Sequence, residues 1–311
     1  MASSAHPHTS PELICTAPPS EQSSTSATSP TGTANISARE YIYFLPYPIP
    51  KETPVPYTPG LSTTNPLNLP PTPFEPTSTL VLTSPGKTFV DLRYLKPVKL
   101  GESALPNAGE TKRLEWGFAG TSKSEAMAEA HPKFEAYGHW VWTHWLDSRA
   151  AVGQEIARDE GDMYDLGEGL FLEHGHAFHP HLGRVAGHEE LWRDVPVLST
   201  GASAENGEER KVCVLLRCED REQGIRGVVI RVGRYCQGIL QFGEVTTTER
   251  WEFDVEDKDD VQEEKKWKRT ARTGDAFLPC AVTFRTEVVQ LGGRVRHGGI
   301  EWVTEEVWAW N

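Results

Sequence analysis

The apolar residues of this chain recur at every second position in short runs from Ser78 onward, and this period of two constrains the fold more than any other feature. In one run, Leu114, Trp116 and Phe118 share a face of an extended strand, with Glu115 on the other face. Turn-forming residues separate the runs. The pattern predicts an all-β protein of antiparallel strands, with each half either a closed barrel or a sandwich.

Two local signals refine this pattern. A Pro-Gly pair stands between two alternating runs, at the centre of residues 84–87, and predicts a hairpin with a type II turn. Ser122 and Glu125 have the spacing of a capping box and predict a short helix that ends at Pro132. This helix is the exception in a chain otherwise predicted to be strand and loop.

Composition divides the chain into segments. Residues 1–36 are rich in Ser, Thr, Pro and Ala and poor in large apolar side chains, which predicts a disordered tail. Residues 37–195 are predicted to form one barrel, with a Pro-rich strap or insertion at 49–76, because frequent prolines interrupt helices and central strands. Residues 196–311 are predicted to form a second barrel, which a polar linker joins to the first.

Charge and hydropathy argue against several functional classes. The formal net charge of -13 disfavours a nucleic-acid or anionic-membrane partner, because phosphate binding requires clustered Lys and Arg. There is no apolar run of about 18 residues, as a membrane-spanning helix needs, and no secretory signal pattern. The five cysteines are widely spaced without a CxxC pair, which fits reduced thiols. We therefore expect a cytoplasmic protein.

Four motifs occur in the same order as in a known family. They are LEWGFAGT (114–121), WTHWLDS (142–148), EELW (189–192) and GVVIRVGRYCQG (227–238). Over residues 78–310 the chain resembles the fungal Hri-type proteins, named for their interaction with a casein-kinase-I-type kinase. The resemblance implies two tandem lipocalin-like β-barrels, a cytosolic and nuclear location and such a kinase as partner. It implies no catalytic residues.

A histidine-rich segment raises the question of a metal site. His174 and His176 point to one face of a strand, and with His181 as a third ligand the spacing resembles the first cupin motif. However, no partner motif follows, and Pro180 interrupts the strand before His181. We therefore predict a solvent-facing hairpin, with no metal and no cofactor.

Arg234 stands out in the second half. It shares the parity of Val228, Ile230 and Val232, so in a regular strand its guanidinium would lie on an apolar face and require a partner. That partner is either an internal carboxylate or a set of carbonyls, or the acidic group of a ligand. A bulge at Gly233 would instead turn Arg234 outward.

Several residues are candidates for the lining of a ligand cavity. Asp147 is either a general acid or base, if it is buried, or the cap of a turn with Ser148. The tryptophans either line a cavity or fill a small barrel with their own side chains. The candidate lining consists of Trp116, Trp142, Trp145, Asp147, Arg234 and Gln237.

Two functional hypotheses follow from these observations. The first is a non-catalytic interaction protein with a kinase partner. The alternative is a barrel that binds a hydrophobic small molecule and acts as a cofactor-free cyclase or isomerase in fungal metabolism. The chain has no motif of a hydrolase, a nucleotide-binding protein or a nicotinamide enzyme. A cavity of about 300 Å3 or more with Arg234, Asp147 or Gln237 in its wall would favour the second hypothesis.

Overall fold

Strands dominate the computed structural model of the chain, as the period of two predicts. The all-β, antiparallel fold class is confirmed. Fifteen strands, β1 to β15, occur in the part of the chain that is described. The structure describes residues 33–50, 53, 55–57, 74–127, 134, 137–156, 158–180, 182–201, 209–255 and 266–311.

The first eight strands close into a barrel in which neighbours along the chain are also neighbours in space. Every pair is antiparallel, and β8 returns to pair with β1, for example Glu189 with Tyr43. Closure gives the barrel an interior, lined by alternate side chains of each strand, and an outer surface. The strands are β1 Asn35–Leu45, β2 Thr77–Thr83, β3 Thr88–Leu95, β4 Leu114–Ala126, β5 Tyr137–Asp147, β6 Asp159–Gly167, β7 Leu170–His179 and β8 Arg184–Asp194.

The other seven strands form a sheet in the order β13-β12-β11-β10-β9-β15-β14. Where a second closed barrel is expected, the described strands β13 and β14 remain edges that do not pair with each other. A 3-10 helix, Pro279–Phe284, lies between them in the chain and packs buried side chains on the sheet. The strands are β9 Lys211–Asp220, β10 Ile225–Val232, β11 Tyr235–Phe242, β12 Val245–Phe253, β13 Trp267–Thr273, β14 Arg294–His297 and β15 Ile300–Trp310.

The outer surface of the barrel packs against one face of this sheet. Outward-pointing barrel side chains such as Leu82 and Val90 are buried in one cluster with sheet side chains such as Leu215 and Ile230. A barrel with so much apolar surface on its outside needs the sheet to cover it. The buried members of the cluster are Ala34, Ile36, Leu80, Leu82, Val90, Leu92, Tyr94, Ala119, Leu146, Cys213, Leu215, Val228, Ile230, Val232, Ile239 and Ala271.

Polar side chains of the sheet fasten this apolar interface. Gln237 donates hydrogen bonds to the carbonyl oxygens of Leu80 and Val90, at 2.9 and 3.2 Å. Arg250 donates to the side-chain oxygen of Gln237 and to the Leu92 carbonyl, both at 2.8 Å. Because buried donors are costly when unpaired, these bonds favour one register of the sheet on the barrel.

The opposite face of the sheet carries a second apolar core beneath the 3-10 helix. Trp302 is fully buried there, and Trp267 stacks on Phe284 with ring centroids 4.2 Å apart. Arg231 is a charged member of this core. Its guanidinium donates to the Thr283 carbonyl at 2.8 Å and lies 5.0 Å from the Trp267 ring centroid. Large aromatic and aliphatic side chains thus dominate the core of the second half.

The hairpin predicted at residues 84–87 is present, but its turn is of another type. Lys87, with φ 66°, is the left-handed residue, whereas a type II turn would place Gly86 in that conformation. Gly86 instead lies against the carboxylate of Glu306, so that a Cβ at this position, 2.5 Å from that carboxylate, would displace the Glu306 side chain. Glu306 on β15 accepts a hydrogen bond from the Ser84 hydroxyl at 2.7 Å, so the hairpin is tied to the sheet.

The helix predicted near Ser122 is wrong where the structure describes the chain. β4 continues as a strand to Ala126 and pairs Ser122 with Trp142 of β5. Pairing with a long neighbouring strand outweighs a local capping signal. Residues 128–132, which complete that prediction, lie outside the described residues.

The structure describes only part of the segments that composition predicts. Residues 1–32 of the predicted tail lie outside the described chain, and Ile36 belongs to β1. Most of the strap at 49–76 also lies outside it. The two sheets fall on either side of the predicted boundary at 195/196, but they share one apolar cluster, so the two-domain division stays a prediction. Within the described residues, no helix has the length and apolarity to cross a bilayer.

Candidate functional site

A cavity of about 500 Å3 lies inside the barrel. It opens at the end of the barrel where β1 begins and β2 ends, since Asn35, Thr83 and Asp194 line it there. Asp91 and Arg93, further along β3, line its deeper part. A cavity of this volume is in the range of small-molecule binding sites.

Aromatic side chains form much of the cavity wall. Trp140 and Trp142 come from β5, Trp192 from β8, Phe89 from β3 and Phe171 from β7. Each occupies an inward position of its strand, so the alternation that buries aliphatic residues outside the barrel turns these rings inward. The wall therefore offers ring faces to an apolar ligand.

Below the cavity the barrel interior holds a buried ion-pair network. Arg39 donates to Glu75 at 2.7 Å and to Glu190 at 2.6 Å. The exposed fractions of these three side chains are 3%, 8% and 4%, so both carboxylates depend on the guanidinium for compensation. Removing one partner of such a network leaves an uncompensated buried charge.

A second buried arginine connects this network to the cavity. Nε and Nη2 of Arg93 both donate to one oxygen of Asp91, at 3.0 and 2.9 Å. The same guanidinium lies 5.0 Å from the ring centroid of Trp116 and 5.3 Å from that of Phe118. Nη1 of the same guanidinium lies 3.6 Å from Glu190, so Arg93 is held by two carboxylates and by aromatic faces.

The two arginines affect their carboxylates differently. Burial alone would raise the pKa of Glu190, but Arg39 and Arg93 outweigh burial and lower that pKa to about 2. Burial raises the pKa of Asp91 in spite of Arg93. Asp91 is 2% exposed, and its Oδ1 has no hydrogen-bond partner among the described residues. One buried acceptor at the cavity is thus left open.

A fourth inward carboxylate, Glu173, lies between a tryptophan and a histidine. Trp192 donates to it at 2.8 Å, and His188 Nε2 lies 3.7 Å from its other oxygen. Burial raises the pKa of Glu173, and neighbouring carboxylates raise the pKa of His188 although burial opposes this. Gly175 makes room for His188, because an added Cβ would lie 2.6 Å from Nε2.

A β-bulge brings a histidine and an aspartate to the same side of β5. The register between β4 and β5 shifts by one residue near Trp145, so Asp147 points inward with His144. His144 Nδ1 lies 2.9 Å from Asp147, and Nε2 lies 3.8 Å from Asp159. Burial opposes protonation, but the two carboxylates outweigh it and raise the pKa of His144. Asp159 lines the cavity.

The residues predicted to line a cavity lie in different places. Trp142 lines the cavity, whereas Trp116 donates to Asp147 at 2.8 Å deeper in the barrel. Trp145 lies at the outside of the barrel, where its ring packs against Arg217 of the sheet, 4.4 Å from the centroid. Gln237 belongs to the interface between barrel and sheet, as described above. The structure therefore brings together only the members that point into the barrel, Trp116, Trp142 and Asp147. The expectation of Arg234, Asp147 or Gln237 in the cavity wall is wrong, because none of the three lines the cavity.

Arg234 occupies a turn rather than a strand. β10 ends at Val232 and β11 begins at Tyr235, with Gly233 at φ 55° between them. The premise of one regular strand through Arg234 is therefore wrong. Its Nε donates to the Ser199 carbonyl at 2.6 Å, so a carbonyl, one of the expected partners, accepts from the guanidinium.

The histidine-rich segment anchors the beginning of the Pro-rich strap to the outside of the barrel. His174 and His176 lie on the outer face of β7, where Tyr57 stacks on His174 at 4.1 Å and Tyr47 stacks on His176 at 4.4 Å. Glu189 accepts from the Tyr57 backbone at 2.5 Å and lies 2.9 Å from His174 Nε2. Both imidazoles thus act as stacking platforms.

His181, the third histidine of the candidate metal motif, lies outside the described residues. Within the described residues, no group of three or more His, Cys, Asp or Glu side chains is placed to hold a metal ion. The expectation of a protein without metal or cofactor stays a prediction.

Comparison with known proteins identifies the family. The sequence profile of the family described as Protein HRI1 matches residues 60–306, which is most of the chain. The chain belongs to the Protein HRI1 family. The crystal structure of an uncharacterized protein from Saccharomyces cerevisiae is similar over 89% of this chain and 100% of that chain, with 16% identity and a TM-score of 0.57. This likeness concerns the fold alone. No curated protein matches the chain.

The charged interior of this HRI1 family member was not predicted from its sequence, although one signal was available. In β3 the residues Phe89, Asp91 and Arg93 share parity, which places two charges on the face that carries an aromatic ring. The motif EELW follows the same rule, since Glu190 and Trp192 both point inward. Charged residues in register with aromatic residues therefore indicated a polar barrel interior.

Proposed function

We propose that the barrel of this HRI1 family protein binds an amphipathic small molecule in its cavity. The observation that carries the proposal is the combination of a cavity of about 500 Å3, aromatic walls and a charged floor. An eight-stranded barrel is either filled by its own side chains or holds one small ligand, and a cavity of this volume fits the second case.

Energetics support the proposal. Buried ion pairs such as Arg39 with Glu190 contribute little net stability compared with apolar packing, and an open volume forfeits packing contacts. A barrel selected for stability alone would be filled with aliphatic residues. The motif WTHWLDS, which carries part of the family resemblance, supplies Trp142 to the wall and His144 and Asp147 to the layer beneath it.

A fluorescence titration tests the proposal. N-Phenyl-1-naphthylamine is a neutral dye that brightens in apolar sites, and we expect it to bind the wild-type protein saturably with one site per chain. Val81→Trp places an indole in the cavity and should abolish this signal. Val185→Trp is the matched control, because Val185 lies on the outer face of β8 and is 42% exposed. Equal dye binding by both variants, or none by the wild type, would contradict the proposal.

The partner and the location expected from the family resemblance are separate proposals. A casein-kinase-I-type kinase as partner, and a cytosolic and nuclear location, do not depend on the cavity. Calorimetric titration of the purified kinase into the purified protein tests the partnership, and no heat of binding at micromolar concentrations would count against it. Cyclase or isomerase activity stays a prediction, and it requires ligand binding first.

A further inference from the structure

Resting on the proposed binding function, we infer that the ligand carries a positively charged nitrogen on an apolar body, as an organic amine or a quaternary ammonium compound does. Three independent features of the cavity support this inference. Its guanidiniums are already paired with carboxylates, its carboxylates can accept further hydrogen bonds, and its wall is aromatic.

The guanidiniums of the described barrel interior are already committed to carboxylates. Arg93 donates hydrogen bonds from both Nε and Nη2 to Asp91. Arg39, deeper in the barrel, is bound by Glu75 and Glu190 at 2.7 and 2.6 Å. Nη1 of Arg93 also lies 3.6 Å from Glu190. An anionic head group that took either guanidinium from its carboxylates would leave a buried carboxylate uncompensated. Lys87 also lines the cavity, but it lies on the exposed turn at the cavity mouth, so the buried part of the cavity is a poor site for a fatty acid or another organic anion.

The carboxylates that line the cavity have oxygen atoms that can accept further hydrogen bonds. Asp91 Oδ1 has no hydrogen-bond partner in the described chain. Glu173 lies 3.7 Å from His188 Nε2, and Asp159 lies 3.8 Å from His144 Nε2, both beyond ordinary hydrogen-bond length. A ligand with N–H donors or a positive charge would supply what these oxygens lack.

The charge balance of the described interior points the same way. Seven carboxylates of the described chain point into the interior or line the cavity, and they face two arginines, one lysine and two histidines. The carboxylates therefore outnumber the basic groups even when both histidines are protonated. A bound cation would reduce this excess. The carboxylates are Glu75, Asp91, Asp147, Asp159, Glu173, Glu190 and Asp194, and the basic groups are Arg39, Lys87, Arg93, His144 and His188.

The aromatic wall suits a cation as well as an apolar chain. Ring faces attract positive charge, most strongly when the site is shielded from water. The barrel already holds one cation in this way, since Arg93 lies 5.0 Å from the centroid of Trp116 and 6.0 Å from that of Trp192. Trp140 and Trp142 line the more open part of the cavity. They are placed to contact the head group or body of the ligand.

Displacement of N-phenyl-1-naphthylamine by three chain-matched compounds tests the inference. Octyltrimethylammonium, octanol and octanoate share an apolar chain and differ in charge. We expect octyltrimethylammonium to displace the dye at a concentration about tenfold below that of octanol, with octanoate weakest, since cation–π and carboxylate contacts favour the cation. If the dye binds but octanoate displaces it at the same concentration as the cation or at a lower one, the inference is overturned and the proposed function stands. Absence of dye binding overturns both.

Variants of the carboxylates provide the second arm. Glu173→Gln and Asp159→Asn should each weaken the binding of octyltrimethylammonium by about tenfold, because one charge contact is lost. The binding of octanol should not change. Glu160→Gln is the control, because Glu160 lies beside Asp159 on the outer face of β6 with 34% exposure. Equal effects of all three variants on the cation would overturn the inference. The ranking of the three compounds on wild-type protein decides the question even if one variant fails to fold.

Discussion

The interior of the barrel and the core of the second sheet solve the same packing problem in opposite ways. The sheet buries the face that is turned away from the barrel, with apolar side chains such as Trp302 and Trp267 packed against Phe284 of the 3-10 helix. The barrel instead encloses ion pairs and a cavity, and it turns its aliphatic residues outward against the sheet. Under the proposed function this difference separates two tasks: the second half and the interface stabilise the fold, and the barrel interior holds the ligand.

The largest expected effect tests whether the sheet core carries stability. Trp302→Ala should lower the free energy of unfolding by about 5 kcal/mol, because Trp302 is 0% exposed and truncation leaves a large void. Trp142→Ala, in the wall of an existing cavity, should cost only about 1–2 kcal/mol. Urea unfolding followed by far-UV circular dichroism compares them. Equal losses would contradict the division of tasks.

The buried ion pairs should matter through the cost of breaking them. Arg39→Met keeps an apolar stem but leaves Glu75 and Glu190 uncompensated, so we expect a loss of about 4 kcal/mol in unfolding free energy. Arg158→Met removes an exposed ion pair with Glu160, 66% exposed at Arg158, and should cost less than about 1 kcal/mol. Urea titrations of both variants measure the difference, and similar losses would contradict the buried network.

Acid should weaken the barrel interior through Glu190. Its pKa falls from an ordinary 4.5 to about 2 in the folded chain, because Arg39 and Arg93 outweigh burial. A depressed pKa contributes stability above the ordinary value, and this contribution is lost as the pH falls from 4.5 to about 2. We expect a loss of at most about 3 kcal/mol over this window.

Urea unfolding between pH 2 and pH 7 measures this acid effect. Glu190→Gln should flatten the acid limb of the stability profile, whereas Glu301→Gln, on an exposed β15 side chain, should leave it unchanged. An identical acid limb in wild type and Glu190→Gln would show that this carboxylate is not held by the two arginines.

The smallest effect belongs to the outer face of β7. Replacing His174 and His176 together by Ala removes two stacking contacts with Tyr57 and Tyr47 and the contact of His174 with the buried Glu189, and we expect a loss of about 2 kcal/mol. Dye binding in the cavity should not change, because both imidazoles lie outside the barrel. Loss of dye binding with retained circular dichroism would link the strap to the cavity.

Sequence periodicity accounted for the fold class but only partly for the site. Alternation predicted the strands, because a period of two is a local property. It did not separate Trp142, which lines the cavity, from Trp145, which lies outside the barrel. The bulge near Trp145, which turns Asp147 inward with His144, was not foreseeable from alternation. Arg234 failed for a similar reason, since a two-residue turn was read as strand. The ion pairs join residues far apart in the chain, such as Arg39 with Glu190, and only closure of the barrel brings them together.

The shared apolar cluster has a consequence for how the protein is made. A ribosome synthesises β1 to β8 first. Their outward side chains remain exposed to water until β9 to β15 emerge, among them Leu82, Val90 and Leu92. Newly exposed apolar surface of this kind promotes self-association during synthesis. A nascent barrel therefore depends on prompt arrival of the sheet, or on a chaperone that shields its outside, before the cavity within it can serve any ligand.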